Sequence, residues 1–187
     1  MRAELEAIVA DFNLATDRLR ALAHRVPESR WSERVDPSRW SIAECVGHLN
    51  LTSDAYLPLM QTGLAQARQK TIGSLGHRYR RDFIGWVLWR TAGPPVRLRV
   101  KTTAPFVPTP ASPPDLVAEF ERLQAAQLSC LREAEGLPID RVTITSPFNA
   151  RLKYNLYAAM TILPRHQHRH LWQAEQVWDA LQARSKS

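Results

Sequence analysis

At 187 residues, 44% apolar and 23% charged, the chain has the make-up of a single folded domain with its own hydrophobic core. That composition excludes a disordered chain or one that needs covalent staples. The formal charge of +7 raises nucleic acid and acidic membranes as partners, yet no helix-turn-helix, zinc-finger or RNA-binding aromatic motif accompanies it.

The first expected element is a helix over residues 2–25, with Leu5, Ile8, Val9, Phe12, Leu19 and Leu22 at helical spacing and Pro27 closing it. Glu4, Glu6 and Asp11 interrupt what would be the apolar stretch of a secretory leader, so a cytoplasmic location is expected. A second helix, over 41–67, starts at Ser41-Ile42-Ala43-Glu44, a capping box in which serine and glutamate each satisfy the other's backbone amide. Its stripe runs through Ile42, Val46, Leu49, Ser53, Tyr56 and Met60, and Pro58 is expected to bend or break it.

A short helix is expected over 82–90. The apolar run from Phe83 to Trp89 is too short to span a bilayer, and no membrane partner is expected. Arg78, Arg80, Arg81, Arg90, Arg97, Arg99 and Lys101 surround it with Asp82 as their one acidic neighbour. Solvated basic surface is the favoured reading; Arg97, Arg99 and Lys101 are also placed to hold an acidic substrate. Prolines crowd from Pro94 to Pro114, which makes 91–112 a long extended connection.

Ser112 caps a third long helix, with two prolines in its first turn, and Gly136 ends it. Residues 141–148 read as a brief extended segment. The last helix spans 153–183, with Pro164 interrupting its hydrogen bonds. Cys45 and Cys130 lie within helical patterns and read as buried free thiols. The fold class is therefore all-α: one domain over 1–187, a four-helix bundle with a long crossover connection and a short extra helix.

The chemistry gathers on histidine. His166 and His170 stand four apart, so both imidazoles share one helical face. His168 falls off that face. A third ligand must come from elsewhere, and His48 on the second helix is the candidate. Three neutral imidazoles suit zinc, nickel or iron and leave a coordination position open, as catalytic sites do. The glutamate of a H-E-x-x-H motif is missing.

Trp40-Ser41-Ile42-Ala43-Glu44 with His48-Leu49, and His166-x-x-x-His170-Leu171-x-Gln173, resemble the second- and fourth-helix motifs of the DinB-like (DinB/YfiT-like) superfamily. Ala104-Pro105-Phe106 and Ser146-Pro147-Phe148 are similar to segments in one branch of it. The resemblance implies a four-helix bundle holding a divalent metal on His48, His166 and His170. Some relatives are thiol-dependent transferases or isomerases that use bacterial low-molecular-weight thiols.

On this reading the protein is a metal-dependent enzyme, a thiol-dependent transferase acting on a small molecule. Metal-dependent hydrolysis, or a non-catalytic bundle that binds a ligand or protein, are the alternatives. Thiol transfer asks less of the chain, because a metal itself favours the thiolate. Glu44 has a competing role in the cap, and Glu175 projects elsewhere. Gln173 is placed to touch a substrate or orient a ligand, and Tyr56 and Trp172 to border the pocket or pack in the core. No nucleic-acid partner is expected, and a homodimer is as compatible as a monomer.

Overall fold

Leu5, Ile8, Phe12, Ala15, Leu19 and Leu22 return every three or four residues, and α1 (Ala3–Arg25) buries all six. Glu4 and Glu6 in its first turn and His24 and Arg25 in its last complement the helix dipole. The computed structural model describes residues 1–70, 78–95 and 102–184. The bundle is completed by α2 (Ile42–Arg68), α4 (Pro113–Glu133) and α5 (Leu156–Arg184), with the short α3 (Phe83–Ala92) in the long connection between α2 and α4. Both α1 and α2 pack against α4 and α5, while α3 packs on α5.

Local signals start the helices. Ser41 Oγ accepts the Glu44 amide at 3.2 Å and Glu44 accepts the Ser41 amide at 2.8 Å, completing the capping box. Ser112 accepts the Asp115 amide with Pro113 and Pro114 in the first turn. Both α2 and α5 continue through their internal prolines, Pro58 and Pro164, so neither helix is broken there. The third long helix stops at Glu133, three residues before Gly136, which takes a left-handed φ of 76°.

The beginning of α5 corrects the sequence-based expectation. Residues 153–155 are not helical. Lys153–Asn155 forms β2, antiparallel to β1 (Thr143–Thr145), with Thr143 opposite Asn155 and Thr145 opposite Lys153. The extended segment is thus half of a small hairpin whose connection carries Phe148. Asn155 then joins several chain segments. Its Oδ1 accepts the Ala158 amide at 2.8 Å, and its Nδ2 donates to the carbonyls of Arg80 and Asp140. Asp82 accepts the Asn155 amide at 2.6 Å and the Gly85 amide at 2.7 Å, tying α3 to the start of α5. The approach is close: a β-carbon on Gly85 would lie 2.3 Å from that of Ala158.

The apolar interior falls into two clusters. One gathers Leu5, Phe12, Tyr56, Met60, Tyr154 and Leu163; the other gathers Leu19, Trp31, Val46, Leu49, Phe120 and Leu171. Buried polar residues mark the changeover along three helices: Thr52 and Ser53 on α2, Gln124 and Gln127 on α4, Gln167 and His170 on α5. Some of these bond across the bundle. Gln167 donates to Gln124 at 2.8 Å, and Gln124 donates to the Phe12 carbonyl at 2.9 Å. Cys45 and Cys130 are free and buried, as expected.

The basic region is less uniform than a solvated surface. Arg81 lies over the Trp89 ring at 4.1 Å and donates to Thr161, while Arg78 pairs with Glu4. Arg97, Arg99 and Lys101 lie outside the described residues. Among the described residues, no helix is long and apolar enough to cross a membrane.

Candidate metal centre

The packing of α2 on α5 brings His48 to the His166/His170 face. One nitrogen from each ring lies within 4.8 Å of the others. Ring centroids are 4.6 Å apart for His48 and His170, 5.2 Å for His48 and His166, and 4.5 Å for His166 and His170. The Nε2 atoms of His166 and His170 stand 3.1 Å apart. Two nitrogens bound to one ion at about 2.0–2.1 Å lie roughly 2.9–3.4 Å apart across octahedral or tetrahedral angles. The spacing therefore fits two adjacent ligands of one ion.

Each ring is prepared for that role. His48 Nδ1 donates to the Phe106 carbonyl at 2.9 Å, which leaves Nε2 with its lone pair free to bind. Burial pushes all three imidazoles below the ordinary histidine range, those of His166 and His170 well below it. Neighbouring positive charge on Arg169 adds to the shift in each case. Neutral rings, the form that binds metal, thus prevail at neutral pH.

The unfolded chain takes up protons at these histidines that the folded chain refuses, so stability falls as pH drops below the ordinary imidazole value of about 6.5. The urea midpoint of the metal-free protein is expected to be lower at about pH 5.5 than at about pH 7.5. The His166→Ala/His170→Ala variant should show a shallower dependence, reduced rather than abolished because His48 and His168 are shifted in the same direction. Equal slopes for variant and parent would contradict the assignment.

Aromatic side chains enclose the cluster. Trp40 lies 4.9 Å from His48 and 5.8 Å from His170 between ring centroids. Phe106 and Phe148 pack on each other at 4.2 Å, and Phe148 lies 6.3 Å from His48 and 6.1 Å from His166. Phe106 arrives on a single 3-10 turn, Ala104–Phe106, and Phe148 on the β1–β2 connection. A cavity of about 650 Å³ opens beside the centre, reaching His170, Trp40, Cys45, Arg39, Arg169 and Gln173. Ligand pockets commonly have this size.

The remaining candidates separate cleanly. Gln173 and Trp172 line the cavity, and Gln173 lies against His170. Tyr56 is a core residue whose hydroxyl bonds that of Tyr154. His168 points to α1, within hydrogen-bond reach of the Asp11 carbonyl and Arg18. Glu44 is held by Ser41 and Arg34, and Glu175 by Arg18. Two further participants escaped the sequence reading. The Phe106 carbonyl leaves no side-chain signature, and Arg169 differs from other arginines only in lying between the two α5 histidines.

Compared with known protein families, residues 11–174 match the DinB superfamily. The chain belongs to that superfamily. Comparison with curated proteins and with solved structures returns no match. Membership accords with the mostly helical architecture, and in this DinB protein the histidines of the two motifs, one from the first and two from the second, form a group able to bind a metal ion.

Proposed function

We propose that His48, His166 and His170 hold a divalent ion (zinc, nickel or iron) and that the protein is a thiol-dependent transferase acting on a small molecule. The observation that carries this reading is the convergence of three neutral imidazoles beside a ligand-sized cavity, with no fourth histidine, cysteine or carboxylate in the group among the described residues. A divalent ion bound there supplies a Lewis acid that favours the thiolate form of a thiol.

The chain's own residues supply orientation and exclusion. The Phe106 carbonyl fixes the tautomer and plane of His48, and Trp40, Phe106 and Phe148 keep bulk water off the rings. Cys45 lines the cavity but is not the nucleophile, because burial pushes its thiol up to about 12 and keeps it protonated. The thiol therefore comes from a low-molecular-weight cosubstrate. Its sulfur forms the new bond to an electrophilic carbon, the leaving group departs with the bonding pair, and the thiol proton passes to the leaving group or solvent. Hydrolysis has less support, since Glu44 and Glu175 are engaged elsewhere and Asp36, at the cavity, is held by Ser38.

The test is a panel of small thiols against epoxide and aryl-halide electrophiles with metal-loaded protein. Thioether formation should require the metal and disappear in His166→Ala/His170→Ala. Rates equal to buffer across the panel would favour a non-catalytic binding bundle. Metal-dependent product release without thiol would favour a hydrolase.

A further inference from the structure

The cavity beside the histidines is unevenly charged. Among the described residues, Arg39 and Arg169 both line it, against one carboxylate, Asp36. That carboxylate already accepts the Ser38 amide at 2.7 Å and the Ser38 hydroxyl. The other polar groups named above, Gln173 and Ser38, are neutral. A bound divalent ion would make the cavity more positive still.

The two arginines occupy different depths. Arg39 is exposed, whereas Arg169 is half-buried in the turn between His166 and His170. It borders the cavity directly beside His170. A partly desolvated guanidinium attracts an anion more strongly than one in bulk water, and its planar fork matches a carboxylate. Trp40 supplies an apolar wall of the cavity against the rings of His48 and His170. The cavity thus pairs an inner reactive end with a cationic seat alongside.

We propose that the small molecule bound in this cavity carries a carboxylate, received by Arg169 with Arg39 nearer the solvent, while its reacting group faces His170. This rests on the metal-centre reading above and names the chemical class of ligand that the centre takes.

The test uses cobalt-loaded protein titrated with 3-mercaptopropionate and with its neutral amide, followed by the visible bands of the ion. The acid should bind about tenfold more tightly than the amide, the size of effect one charge-assisted hydrogen-bonded pair supplies. Arg169→Gln should erase that preference with cobalt still bound, and Arg39→Gln should reduce it in part. Because the ratio is compared between parent and variant, differences in thiol acidity cancel. Equal binding of acid and amide, or a preference that survives both substitutions, would overturn the carboxylate seat. Should neither thiol bind, the thiol reading falls. The same comparison of propionate with propionamide then decides the seat, a preference that Arg169→Gln erases supporting it and equal binding overturning it.

Discussion

Replacing His166 and His170 together by alanine is expected to remove the bound metal. Protein prepared without a metal-affinity step should carry near one ion per chain, and the variant essentially none, by elemental analysis. Stability should report the same loss. An ion present at a hundred times its dissociation constant stabilises the folded state by about 2.7 kcal/mol, which for a chain of this size is a rise in Tm of roughly 5–10 °C. That increment should vanish in the variant while its helical signal persists, because the two side chains lie at a polar changeover rather than inside either apolar cluster. Parental metal content in the variant would contradict the ligand assignment.

Asn155→Ala is expected to be strongly destabilising although it lies away from the centre. Asn155 is 6% exposed, and its side chain accepts the Ala158 amide while donating to the carbonyls of Arg80 and Asp140. Alanine would remove the cap at the start of α5, a loss of about 1 kcal/mol, and leave two carbonyls without their donor at about 1–3 kcal/mol in all. A loss of roughly 2–4 kcal/mol in urea denaturation follows. A loss below about 1 kcal/mol would show that water replaces these bonds freely. The metal centre lies more than two turns along α5, so metal stoichiometry in the folded fraction should be preserved.

Much of the architecture was legible because its signals are local. The apolar stripe of α1, the capping box at Ser41 and Glu44, and the Ser112 cap with its two prolines each act within a turn or two. The hairpin was not. Three-residue strands carry too short an alternation to be told from the end of a neighbouring helix, and the apolar pattern of α5 blends into Tyr154. At the site, the His166/His170 pairing follows from helical spacing. Its meeting with His48 depends on which helices are neighbours, and this came from the family resemblance. The Phe106 carbonyl is a backbone group and leaves no pattern. Phe106 and Phe148 did appear within the segments that carried the resemblance, but their packing around the histidines depends on tertiary structure.

Glu44 illustrates how structure decides between roles that sequence leaves in competition. One turn from His48, it is near enough in sequence to suggest a general base. The folded chain commits it to the Ser41 amide and to Arg34, and together these bonds hold its carboxyl below the usual carboxylate range despite burial, which pushes the other way.

The most direct test of the three-histidine centre is X-ray absorption at the metal edge of zinc-loaded protein. The account predicts three imidazole nitrogens with their characteristic outer-shell scattering at about 2.0–2.1 Å, completed by a light atom from solvent. Sulfur at about 2.3 Å, or fewer than three imidazoles, would contradict it.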